Sequence, residues 1–245
     1  MNARLIPFTA ALAVAAIAVT ACGKNSTGPN NDGNGGDYDP VIPTSWASAV
    51  TNAYFPLVPG TTFEYEAETD EGTETIAVEV LSATRVVSGV TATIVRDRVY
   101  LDGELIEDTF DWFAQDAAGN VWYLGEDSKE IENDEVVSTE GSWEWGVDDA
   151  LPGIIMWADP AAHIGETYRQ EFYEGEAEDF GKVVAVNEAV TVPQGSFAGC
   201  VKIEEWSGLE PGVFEHKYYS PLVGKVLGTH VGVDERVELV ELIAP

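Results

Sequence analysis

The side chain with the clearest chemistry in this sequence is the thiol of Cys22. Arg4 leads an apolar run over residues 5–18 that ends in Val19-Thr20-Ala21-Cys22, and the chain then turns to Gly23-Lys24-Asn25-Ser26-Thr27-Gly28-Pro29. A cysteine in that setting is the acceptor for a diacylglyceryl group, and the small Ala21 before it suits a peptidase that cuts ahead of the acylated residue. The run is shorter than the roughly 20 apolar residues needed to cross a bilayer, so residues 1–21 read as a removable lipoprotein signal peptide. The mature chain is then expected to begin at a lipidated Cys22, with palmitate among its acyl groups, and to meet the membrane through that anchor. An Asp after the acylated Cys is the usual inner-membrane retention signal. Gly23 stands there instead, so the outer membrane is the expected location in a host that has one.

Catalytic chemistry is harder to assemble. There is no Gly-x-Ser-x-Gly, His-Glu-x-x-His or Cys-x-x-Cys motif and no glycine-rich phosphate loop, and His163, His216 and His230 are the only imidazoles. No catalytic residue, metal ligand or cofactor is therefore assigned. Asn30-x-Asp32-x-Asn34-Gly35 matches the front of a calcium-binding loop, but its twelfth position is Val41 where a bidentate Glu is needed.

The densest signal is aromatic. Trp112, Trp122, Tyr123, Trp143, Trp145 and Trp157 are interleaved with Gln115, Asp116, Asn120, Glu126, Asp148 and Asp149. Indole faces beside carboxylates and amides suit sugar rings and cationic ligands; the same residues also build β-cores. Glu126 with Glu144, Asp148 or Asp149 would supply a carboxylate pair for glycoside hydrolysis, a reading that needs a separation no sequence spacing shows. In Val95-Arg96-Asp97-Arg98-Val99, strand alternation puts Arg96 and Arg98 on one face, to hold an anionic head group or to form cross-strand ion pairs. Residues 115–120 read as a hairpin turn, with Asp116 capping the backbone and Gly119 supplying positive φ.

Composition narrows the partners. Forty-three acidic residues oppose 12 basic ones, for a net charge of −31, and loss of Arg4 with the leader makes the mature chain more negative. Nucleic-acid binding needs a basic stripe that this chain cannot make, and attraction to anionic lipid is excluded on the same ground. Acylation of Cys22 leaves Cys200 alone, so no disulfide framework exists; in its small-residue setting Cys200 reads as a buried, inert thiol.

Residues 22–45 lack apolar content and read as the lipidated Cys and a flexible tether. Beyond them, short alternating runs cut by Gly, Pro, Asp and Asn predict an all-β domain. Strands are expected at 62–68, 75–83, 91–101, 107–115, 121–126 and 135–138, and again at 167–173, 181–189, 199–207, 213–220, 225–230 and 236–242. The two sets repeat at a spacing of about 105 residues: Pro56, Gly60, Thr62 and Phe63 match Pro160, Gly165, Thr167 and Tyr168, Val78 and Val80 match Val184 and Val186, Phe110 matches Phe214, and Gly119 and Val121 match Gly224 and Val226. This predicts an antiparallel barrel or half-barrel of about ten to twelve strands, with two duplicated halves at 46–142 and 165–245. The segment 143–164, with no clear alternation, is expected to be a connecting loop folded over the barrel mouth.

Several blocks carry a family resemblance: Tyr54 to Tyr65, Arg96 to Tyr100, Asp111 to Glu126, Val192 to Phe197 and Tyr218 to Val226. They resemble an uncharacterised class of bacterial and archaeal secreted lipoproteins, similar in turn to lipoprotein-carrier-like half-barrels. That resemblance covers nearly the whole mature domain. It implies a curved antiparallel sheet around a cavity for an apolar ligand, and it assigns no catalytic residue. The expected role is a lipid-anchored cell-envelope protein that binds a small apolar, sugar or cationic ligand without catalysis, or serves as a scaffold. The alternative is an extracellular glycan-active hydrolase.

Overall fold

In the computed structural model of the chain, the structure describes residues 38–245, so Cys22, the leader and the first part of the tether lie outside it. The strands are β1 (Thr62–Glu68), β2 (Thr73–Val87), β3 (Val90–Leu101), β4 (Glu104–Gln115), β5 (Val121–Asp127), β6 (Glu130–Glu132), β7 (Glu135–Ser138), β8 (Trp143–Glu144), β9 (Leu151–Met156), β10 (Thr167–Arg169), β11 (Glu171–Phe172), β12 (Asp179–Val192), β13 (Gly195–Ser207), β14 (Glu215–Ser220), β15 (Gly224–His230) and β16 (Arg236–Ile243), with one 3-10 helix at Pro160–His163. Sixteen strands exceed the ten to twelve expected because β6, β8 and β9 were not foreseen and one expected strand is broken into β10 and β11.

Alternation sets which face each strand turns inward. In β1, Phe63, Tyr65 and Ala67 are buried while Glu64, Glu66 and Glu68 face outward. Tight turns keep successive strands antiparallel. Ser88-Gly89, Asp102-Gly103 and Asn133-Asp134 each hold two consecutive positive-φ residues, the requirement of two-residue hairpin loops whose twist matches the strands.

The sheet closes through one segment. Its order runs β10-β12-β13-β14-β15-β16-β1-β2-β3-β4-β5-β9-β11, and the two ends are consecutive pieces of residues 167–172. Thr167 to Arg169 pair with β12, whereas Glu171 and Phe172 pair with Pro152 and Leu151 of β9. The result is a nearly closed all-β barrel in which a six-strand meander occurs twice. Gly60 and Gly165 have the same place in it: φ is +91° and +84°, and their amides donate to Val80 O and Val183 O, each at 2.8 Å. The ladder therefore equates Val80 with Val183, a shift from the sequence match of Val80 to Val186.

Segment 143–164 is not a loop over the mouth. It contains β8, β9 and the 3-10 helix, and β9 is a barrel strand. Its alternation is hidden because both faces are buried: Ile155 and Met156 join the lumen core, while Ile154 joins a second cluster outside the barrel with Trp112, Ala114, Trp122 and Leu124. Ile42 and Trp46 pack on that outer cluster, so the stretch expected to end as free tether at 45 is held against the sheet from Tyr38, whose hydroxyl donates to Pro152 O at 2.9 Å. The chain then enters one end of the barrel, where Phe55 meets Phe113 and Tyr219 at 5.2 and 6.1 Å between ring centres.

The seam leaves no room for a side chain at Gly153, where a Cβ would lie 2.4 Å from the Gln170 carbonyl carbon and oxygen. Gly153→Ala is expected to cost more than about 2 kcal/mol in denaturant unfolding, since backbone must shift. Gly89→Ala, which meets nothing within 4 Å, should cost only the roughly 1 kcal/mol of a left-handed residue. Equal losses at both sites would contradict closure at this seam.

Candidate functional site

The inward positions change character along the barrel. Near Phe55 they are Phe63, Val80, Val95, Phe113 and Val201; toward the other end they become Glu74, Asp97, Glu107, Asp111, Glu126, Glu171, Asp179 and Glu205, all at 5% exposure or less. The lumen places Lys217 among them, with its ammonium 2.6 Å from Glu205 Oε2 and 3.8 Å from Glu215 Oε2. Burial works against the Lys217 charge, but Glu205 and Glu215 outweigh it and hold the lysine charged.

Such a set cannot be fully ionised in an enclosed space. Burial pushes Glu107 up to about 8, reinforced by Asp97 and opposed by the Thr109 hydroxyl, which donates to Glu107 at 2.9 Å. It raises Asp111 to about 7 against the Tyr123 hydroxyl, which donates at 2.6 Å, and Asp179 to about 7 against Ser207 and Lys217. Glu126 and Glu171 lie well above the usual carboxyl range, by burial first and then by each other's charge in the case of Glu126 and that of Asp179 in the case of Glu171. Trp143 Nε1 donates to Glu171 at 2.7 Å, whereas neither Glu126 oxygen accepts a well-formed hydrogen bond. Near neutral pH Glu107, Glu126 and Glu171 are therefore held as protonated acids, and Asp111 and Asp179 are close to their midpoints.

The other half has an opening. A cavity of about 50 Å³ lies beneath Phe55, Pro56 and Leu57, walled by Phe63, Tyr65, Val78, Val95, Phe113 and Tyr219, with Asp97 and Lys225 as its charged groups. Lys225 places Nζ 4.6 Å above the Tyr65 ring, and Asp97 Oδ1 accepts no hydrogen bond. Burial raises Asp97 to about 6, with Lys225 and Lys217 pulling the other way; burial, then Lys217, lowers Lys225 to about 8.

The residues singled out from sequence are dispersed. Tyr123 and Trp143 point into the lumen and meet edge-on at 5.4 Å; Trp112 and Trp122 lie in the outer cluster, against which Trp145 and Trp157 also pack. They do not form one rim. Arg96 pairs with Asp108 through two hydrogen bonds at 2.7 and 2.9 Å, and Arg98 lies 3.7 Å from Glu79, so both take part in cross-strand ion pairs. Glu126 is sealed inside, Asp148 and Asp149 sit on an exposed turn, and Glu144 binds Arg85 outside, so the acids considered for sugar hydrolysis are not brought together. The histidines are separated: His163 stacks on Trp157, His216 faces Glu204 and His230 faces Glu215. Asp116 caps its turn by accepting from Asn120 N and Trp122 Nε1, with Gly119 at φ +98°. Cys200 is fully buried, and burial raises its thiol. Among the described residues, no group of three or more His, Cys, Asp or Glu is arranged to hold a metal ion.

Asp97, Lys225, Lys217 and most of the lumen acids escaped the sequence reading. The available signal was parity: once Val95 and Val99 face the core, Asp97 does too, and in Val201-x-Ile203-x-Glu205 the same rule turns Glu205 inward.

No family model matches this sequence, and no curated protein matches it. Two solved structures are similar in fold. One is a candidate exported protein with a YmcC-like fold from Bacteroides fragilis NCTC 9343, at TM-score 0.47 and 14% identity over 79% of this chain and 100% of that one. The other is a candidate lipoprotein from Parabacteroides distasonis ATCC 8503, at TM-score 0.43 and 13% identity over 78% and 99% of the two chains.

The lumen acids make stability fall as pH rises. Asp97, Glu107, Asp111 and Asp179 bind protons more tightly folded than unfolded, so their contribution is complete below the ordinary carboxyl range and is lost as pH climbs through about 6 to 8. Thermal unfolding at about pH 5 is expected to exceed that at about pH 8.5 by several degrees, since about 1 kcal/mol moves a domain of this size by roughly 2–4 °C. Glu126→Gln should narrow the difference. A midpoint that rises with pH would contradict the protonated lumen.

Proposed function

We propose that this chain is exported, anchored by lipid on Cys22 and displayed in the cell envelope, with the outer membrane as its site, where its barrel binds a small apolar ligand without catalysis. The leader, Ala21-Cys22 and Gly23 support the anchor and the location. The single observation that carries the binding role is the apolar cavity under Phe55, walled by Phe63, Tyr65, Val95 and Phe113.

Size limits the ligand. A volume of about 50 Å³ corresponds to roughly three to five water positions at ~10–15 Å³ each. That suits one ring or a short hydrocarbon chain and not a whole lipid or an oligosaccharide. The packed placement of Trp112, Trp122 and Trp143 likewise favours an apolar guest over a stacked sugar. A purely structural role would leave the cavity without affinity for any such guest.

Toluene and short alcohols are expected to raise the thermal midpoint of the purified chain. A guest at 100 times its Kd supplies about 2.7 kcal/mol. Val78→Phe, which fills the cavity from its partly buried wall, should abolish that rise with the fold retained. No shift with any apolar guest would favour the scaffold reading. In cells, Cys22→Ala should move the protein from the membrane fraction to the soluble one; retention on the membrane would refute the lipid anchor.

A further inference from the structure

We propose that Lys225 is a reactive amine that holds a small apolar aldehyde as an imine at the floor of the cavity under Phe55. The inference rests on the binding role of that cavity and names the chemistry of its ligand.

The geometry supplies an amine, an acid and dry walls. Lys225 and Asp97 line the same cavity, among Phe55, Phe63, Phe113 and aliphatic residues. The two tyrosine hydroxyls on its walls are already committed, Tyr65 donating to Lys225 O at 2.9 Å and Tyr219 to Glu205 at 3.4 Å. Asp97 is 2% exposed, and its Oδ1 has no hydrogen-bond partner, so a polar atom of a guest at the floor would meet an unused acceptor or, when the acid is protonated, a donor. Lys217, also in the lumen, is held between Glu205 and Glu215 and does not line this cavity.

Near neutral pH the lowered Lys225 amine is neutral in a usable fraction, while Asp97 retains access to its acid form. The amine nitrogen attacks the carbonyl carbon, and a proton passes from nitrogen to the former carbonyl oxygen to give a carbinolamine. Asp97 as the acid protonates the departing hydroxyl. Water leaves, the carbon–nitrogen double bond forms, and the iminium proton returns to Asp97. Aldehyde and amine give imine and water, with no oxidation or reduction. The apolar walls exclude bulk water and so disfavour hydrolysis back to the aldehyde.

The test uses the full mature chain in detergent with benzaldehyde or butanal, sodium cyanoborohydride to fix any imine as a secondary amine, and peptide mass spectrometry to locate it. Labelling of Lys225 is expected to outpace that of Lys129, Lys182 and Lys202 by roughly tenfold or more, because none of those three lines the apolar cavity that would hold the aldehyde beside the amine. Toluene should compete, Asp97→Asn should slow the reaction, and Lys225→Arg should remove the adduct. The site map on the unmodified chain stands even if a variant fails to fold. Labelling spread evenly over the surface lysines overturns the proposal. If toluene raises the thermal midpoint but Lys225 gains no adduct, the imine is refuted and the apolar cavity survives. If neither occurs, both readings fail.

Discussion

Closure of the sheet on residues 167–172 is the constraint from which the rest of the molecule follows. One short stretch of backbone serves as partner to β12 through Thr167–Arg169 and to β9 through Glu171 and Phe172, so the two ends of the sheet meet and the barrel is nearly closed. Once the edges are joined, every inward side chain from every strand shares a single enclosed space. Acidic side chains on the outer face, such as Glu64 and Glu66, remain solvated and account for much of the charge; those of opposite parity, such as Asp97 and Asp111, are buried.

That enclosure explains why two unlike environments coexist in one lumen. Aromatic and aliphatic residues fill the end plugged by Phe55, and the stacked rings of Phe113 and Tyr123, 4.9 Å apart, carry the packing inward to Trp143. Beyond them the acids are tolerated because they stay protonated, accept bonds from Tyr123, Thr109 and Trp143, or surround Lys217. Asp97 and Lys225 sit at the boundary, where an apolar wall meets the charged groups. Binding and acid–base chemistry therefore converge on the same small volume.

Much of this architecture was legible in the sequence, and what was missed has physical causes. β1, with one solvated face, has the expected bounds because its polar and apolar residues alternate cleanly. β9 was hidden because Ile154 and Ile155 are buried on opposite faces, which erases the period. Gly60 and Gly165, matched in the sequence, both take positive φ, and their amides donate to Val80 and Val183, so by these bonds Val80 corresponds to Val183 and not to Val186. The aromatic residues stood out by type, yet type could not distinguish Tyr123 in the lumen from Trp122 on the outer face. Arg96 and Arg98 drew notice as rare cations; the residue between them, Asp97, is the one that faces the cavity.

The central claim is that a nearly closed barrel buries carboxylic acids whose titration is raised by that burial, beside an apolar cavity. Carbon-detected NMR titration of the Asp and Glu side-chain carboxyls reads this directly. The account predicts a separate group of carboxyl resonances, including Glu107, Asp111 and Asp179, with midpoints near 7 to 8, well above the remaining acids. If every carboxyl instead titrates in the ordinary range of about 3 to 5, water reaches the lumen, and the closed, protonated interior described here is wrong.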